Sequence, residues 1–247
     1  MSIIKFTRAL LSVTAMLIAA TSVHAQAVSG QGTWETTLQA RDVGNTGTTN
    51  AFYDTSLGIT WLSNANMNGT MDWSTAMSWA SSLTVGGVGG WRLPTMTGPA
   101  IGGAWSYDGS TALGYNVLAS TSEMATLFFS TLGNKSVFDA NANQVVWGGA
   151  LTNKGNFQNM QSFIYWSGTE YAPSTNSAWD FGTNDGVQGA NTKSDLLYAM
   201  AVHSGDVGSV VSAVPEPETY AMLLAGLGLI GAVARRRRTA ISLGARS

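Results

Sequence analysis

Between residues 26 and 213 the sequence offers one histidine, His203, and cysteine is absent throughout. A serine–histidine triad would have to be built on His203, yet no G-x-S-x-G elbow accompanies it. Without thiols there is no cysteine nucleophile, disulfide framework, zinc–thiolate site or iron–sulfur cluster. Carboxylates remain, Glu170 and Asp180 among them, but nothing in their spacing sets two across a cleft, so solvated loop acids are expected. Asp139-Ala-Asn141-Ala-Asn143 matches the first half of a calcium loop. Gln144 then stands where glycine is needed, and Ala150 where the bidentate glutamate is needed. No catalytic residue, metal ligand or cofactor is therefore expected.

Binding chemistry is better represented. The chain holds 9 Trp, 7 Tyr and 8 Phe. Trp34, Trp105, Tyr107, Trp147, Trp166 and Trp179 have Asn, Asp and Thr neighbours, a combination of flat apolar surface and hydrogen-bonding groups that suits a sugar ring. Core packing is the default for any one of them. Trp105 and Tyr107 lie in the glycine-rich stretch 96–118 and are the residues expected to stand exposed and contact carbohydrate.

The elements that must hold these groups can be read from periodicity. Ala51–Asp54 and Ile59–Leu62 are β-prone runs around a turn-like Thr55-Ser-Leu-Gly58, which predicts a hairpin. Trp73, Ala76, Met77, Ala80 and Leu83 recur at helical spacing behind Asp72, a candidate N-cap. Ser120-Thr-Ser-Glu123 reads as a capping box before Met124, Leu127, Phe128 and Leu132. Gln144–Trp147, Phe163–Ser167, Ala178–Phe181 and Leu197–Val202 read as short strands between Gly/Asn turns. Two helices and short antiparallel strands make an α+β body. Residues 26–213 carry five basic and twelve acidic residues, a formal −7, so nucleic acid is not an expected partner.

The ends carry addresses. Lys5 and Arg8 precede an apolar run of about a dozen residues and Val23-His-Ala25, which predicts a signal peptide over 1–25 cut between Ala25 and Gln26. At the other end, Val214-Pro215-Glu216-Pro217 precedes an uncharged run over 219–234 and then Arg235, Arg236, Arg237 and Arg238. That run is expected to form a transmembrane helix stopped by the arginines, which resist translocation. Gly226-Leu-Gly-Leu-Ile-Gly231 has the form G-x-G-x-x-G, but no βαβ unit surrounds it.

Two resemblances follow. The Pro-Glu-Pro triplet, the short Gly/Ala/Leu-rich run and the arginine cluster resemble the PEP-CTERM sorting signal of Gram-negative bacteria. That resemblance implies an exosortase partner reading Val214–Pro217, transient tethering in the inner membrane, and delivery to the cell surface or extracellular matrix. Signal peptidase would act at the other end. The body resembles the DUF1566 (Lcl C-terminal) family in its ordered segments: Tyr53-Asp, Gly58-Ile-Thr-Trp-Leu62, Gly90-Trp-Arg-Leu-Pro-Thr95, Ser122-Glu-Met, Tyr165-Trp-Ser-Gly-Thr169, Ala178-Trp-Asp-Phe181 and Tyr198-Ala-Met-Ala-Val202. It implies a C-type-lectin-like architecture in which Gly90–Thr95 packs on Tyr165–Thr169 with Trp105 outside. Met96–Leu118 is longer than the compact family form, and His203 stands where the family often has arginine. The expected organisation is signal peptide 1–25, a strand/loop segment 26–50, the α+β domain 51–205, a linker 206–213, the sorting signal 214–238 and a cytoplasmic tail 239–247. The expected function is a non-enzymatic exported surface or matrix protein, with a lectin-like module for extracellular polysaccharide as the alternative.

Overall fold

A computed structural model describes residues 31–96, 104–117, 120, 122–210, 225–227 and 230. The signal-peptide and cleavage residues Ala25 and Gln26, the Val214–Pro217 segment and Arg235–Arg238 lie outside the described residues, as does most of 219–234. Among the described residues, 225–227 and 230 are helical, and no helix is long and apolar enough to cross a membrane.

The body is mostly β-sheet with few helices. Six strands form an antiparallel sheet: β1 (Leu38–Asp42), β2 (Ala51–Asp54), β3 (Ile59–Leu62), β4 (Trp91–Arg92), β10 (Val202–Ser204) and β11 (Ser209–Val210). Their order across the sheet is β11-β1-β2-β3-β10-β4. The hairpin expected around Thr55–Gly58 is β2–β3, with Asp54 opposite Ile59. Asp54 is buried because its carboxylate closes that turn, accepting from the Ser56 N–H at 2.9 Å. The sheet also takes in residues on both sides of 51–205. β1 pairs with β2 and β11, and Arg41 bonds Asp206 through Nε at 2.6 Å and Nη2 at 2.7 Å.

The second sheet has five strands: β5 (Trp105–Ser106), β6 (Leu113–Tyr115), β7 (Ile164–Glu170), β8 (Ser177–Gly182) and β9 (Val187–Thr192). They lie in the order β5-β6-β9-β8-β7. Phe52 and Trp61 of the first sheet and Tyr165 and Phe181 of the second enclose Met124, Leu127 and Phe128 in the main core.

Helical segments support the sheets. A one-turn helix α1 (Trp34–Thr37) precedes β1. Helix α2 (Trp73–Ser82) starts as expected at Asp72, whose carboxylate accepts from Thr75 N–H at 2.8 Å and so satisfies a free helix-end donor. Asp72→Ala is expected to lower the denaturation midpoint modestly in chemical unfolding, with Asp72→Ser restoring most of the loss. The second expected helix is a short α-turn, α3 (Glu123–Ala125), running into a π-helical stretch over Thr126–Thr131. It buries Met124, Leu127, Phe128 and Leu132.

Three expectations need correction. The cap of α3 is Ser122, not Ser120: Ser122 Oγ accepts from Ala125 N–H at 3.1 Å. Glu123 is drawn away from any capping box by Arg92, whose Nη1 and Nη2 bind Oε2 at 2.8 Å and Oε1 at 2.7 Å, and by the Thr95 N–H. Gln144–Trp147 forms no strand, only a bridge from Gln144 to Phe138, because the Val145 and Val146 N–H groups both turn to the one Val137 carbonyl and no ladder propagates. Of Leu197–Val202 only Val202 enters a ladder, since Leu197 bridges Met71 and Tyr198 bridges Tyr165.

Gly90–Thr95 and Tyr165–Thr169 do pack together. Gly168 N–H donates to Pro94 O at 2.8 Å, and Met96 N–H donates to Thr169 Oγ1 at 3.0 Å.

Candidate functional site

The expected contact residues are parts of a sheet. Trp105 belongs to β5, which runs parallel to β6. The pairing depends on Gly114 at φ +129°, where a Cβ would collide with Ser106 O. This part of the glycine-rich stretch is thus tied into the fold. Trp105 is 49% exposed, as expected, while Tyr107 is half-buried. Tyr107 stacks on Tyr115 at 5.3 Å and meets Phe138 edge-on at 5.6 Å, and Trp105 stands edge-on to Tyr115 at 5.7 Å. Tyr107 therefore braces the platform and Trp105 presents it.

Beneath Trp105 opens a cleft of about 300 Å³, walled by Trp105, Leu113, Val187 and Tyr171, with Asp180 and Asn191 among its polar groups. That volume is at the small end of ligand pockets. Strand alternation explains how Asp180 comes to line it. Trp179 and Phe181 point into the main core, which leaves Asp180 on the other face of β8.

Asp180 overturns the expectation of solvated acids, since only 3% of it is exposed. Its carboxylate lies against Gly189 on β9, where any Cβ would come within 2.8 Å of Oδ1. Oδ2 is buried and has no hydrogen-bond partner among the described residues. Burial pushes its pKa up to about 7; the Asn191 amide opposes the shift, and the negative charges of Asp185 and Asp195 add to it. Asp185, in the turn between β8 and β9, is also raised by burial. No basic side chain among the described residues lines the cleft. Lys193 is engaged elsewhere, paired with Glu170 and lying 4.4 Å from the Trp73 ring centroid. Glu170 is thus not a partner acid to Asp180.

The other singled-out groups do not line this cleft. His203 sits in β10 between Thr60 and Trp91, edge-on to the Trp91 ring at 5.7 Å, and its Nδ1 is buried without a partner among the described residues. Asp139 folds its own loop, accepting from Asn141 N–H and Asn143 N–H at 2.9 Å each, which holds its pKa below the usual value. Among the described residues no group of three or more acidic or histidine side chains is placed to hold a metal ion. Trp166 and Trp179 are buried, Trp34 is half-buried, and Trp147 is 77% exposed.

What lies beyond the body is decided by sequence. Val214–Pro217, the apolar run and Arg235–Arg238 follow β11 in order, and this is the arrangement that a family comparison recognises. Residues 213–238 are a PEP-CTERM protein-sorting motif. The PEP-CTERM motif implies recognition by an exosortase and an exported, membrane-anchored precursor that is processed on its way to the cell surface. It covers the tail and leaves the sheets outside its match. No curated protein and no solved structure matches the chain.

Proposed function

We propose that this protein is a non-enzymatic surface or extracellular-matrix protein, cleared of its signal peptide after Ala25 and released from the inner membrane by processing at Val214–Pro217. The PEP-CTERM motif at 213–238 carries the reading. Mass spectrometry of the surface fraction should find a product lacking residues 1–25 and Arg235–Arg238. Replacing Pro215, Glu216 and Pro217 with alanine should shift most of the protein to the membrane fraction with its arginines intact. Surface-exposed protein that still carries Arg235–Arg238 would overturn the processing scheme.

A second reading makes the body a lectin-like binding module for extracellular polysaccharide, in keeping with its resemblance to the DUF1566 family. The observation favouring it is Trp105, half-exposed over a cleft that holds polar groups. Trp105→Ala should reduce binding to the producer's own polysaccharide at least tenfold in calorimetry while leaving the melting temperature nearly unchanged. Absence of binding by the unaltered protein would end this reading.

A further inference from the structure

We propose that the cleft under Trp105 takes a saccharide residue bearing a free amine, with Asp180 supplying the counter-charge. The proposal rests on the lectin-like reading and narrows its ligand to one chemical class.

The cleft is marked both by what it contains and by what it omits. Its one ionisable carboxylate is Asp180, with Tyr171 as the other titratable lining group. Oδ2 of that carboxylate is closed to water and unpartnered among the described residues. A buried carboxylate without a cation beside it is costly, so this carboxyl is held protonated up to about pH 7, and no cationic side chain lines the cleft among the described residues. Asp185 on the β8–β9 turn and Asp195 beyond β9 add charge of the same sign. The cation nearest in sequence, Lys193, is held by Glu170 and Trp73. The place is therefore poised for a positive charge brought from outside.

Shape and wall chemistry specify what carries that charge. Trp105 and Tyr171 give aromatic surface, and Leu113 and Val187 give aliphatic wall. Aromatic faces attract ammonium groups and also stack on the apolar face of a sugar ring. Asn191 adds an amide that can both donate to and accept from hydroxyls. A bare metal ion finds one carboxylate and no further anionic ligand, which is too few for a hard cation. A neutral sugar would fit the walls and leave the carboxyl protonated, whereas an ammonium group would favour its ionised form. An amino sugar satisfies both.

The test is calorimetry at pH 7 on the exported protein, with a tetramer of β-1,4-linked glucosamine and its fully N-acetylated counterpart. The free-amine tetramer should bind at least tenfold more tightly. Asp180→Asn should bring the ratio to near one, while Asp139→Asn, which removes an exposed acid elsewhere, should leave it unchanged. Equal binding of the two tetramers would overturn the amine assignment and leave the glycan reading standing. Binding of neither would defeat both. A loss in Asp139→Asn as large as in Asp180→Asn would show a general polyanion effect and overturn the site.

Discussion

Asp180→Asn should make the protein more stable at pH 8 than the unaltered chain, and the advantage should vanish by pH 4. Burial raises the folded-state pKa to about 7, whereas the unfolded carboxyl titrates near its ordinary value of 3.8. Between those values the folded state holds the proton and the unfolded state has lost it. Stability from this group is therefore fully present below about pH 4, declines as pH rises, and is gone above about pH 7. The gap between the two pKa values corresponds to a free-energy difference on the order of 4 kcal/mol. For a body of this size that is roughly 10 °C in melting temperature. Asparagine has nearly the same shape and never ionises, so it escapes the penalty. Equal melting of the two proteins at pH 8, or a gap that persists at pH 4, would show that Asp180 is not buried as described.

Trp166→Ala should be the most damaging single truncation in the second sheet. Trp166 is fully buried among Leu93, Ala178, Leu197 and Ala199, and its indole N–H donates to Met71 O at 2.9 Å. Removing a buried tryptophan side chain costs about 3–5 kcal/mol, from the burial lost and the cavity left behind. Trp166→Phe separates the two contributions. It keeps much of the volume and loses the N–H, while Met71 O still accepts from Leu197 N–H at 3.1 Å. The phenylalanine variant should therefore lose about 1 kcal/mol of hydrogen bonding plus a small packing contribution. Chemical denaturation of both variants gives the comparison. Similar losses would mean that the hydrogen bond, not the packing, holds this face together.

Asp72 and the hairpin at 51–62 are legible in the sequence because their causes are local. A carboxylate before a run of helical period, and two β-prone segments around a glycine turn, need no distant partner to form. Ser122 caps where the sequence points to Ser120, because the register of the cap is fixed by Arg92, thirty-one residues earlier in the chain, holding Glu123. Gln144–Trp147 has strand-like residues, but its neighbour offers one carbonyl, Val137 O, to two successive N–H groups, and a strand needs alternating partners. The site shows the same division. Trp105 is identifiable as an exposed aromatic from its glycine-rich surroundings. Tyr115, which braces it, and Phe138, which packs behind Tyr115, are not, because these contacts arise only through packing between separate segments. For Asp180 the alternation Ala178-Trp-Asp-Phe181 shows that it faces away from Trp179 and Phe181. Its burial depends on β7 and β9 flanking it, with Trp166 and Gly189 as its cross-strand neighbours, a pairing that no single window of sequence contains.

The last sheet strand, Ser209–Val210, ends only five positions before Pro215. Even drawn out straight, five residues reach no more than about 18 Å. Under the proposed processing at Val214–Pro217, an exosortase would work on a folded cargo held by a leash shorter than the bilayer is thick. Either that enzyme tolerates a bulky neighbour at its entrance, or it gains slack by unzipping the two-residue seam between Ser209–Val210 and Arg41–Asp42.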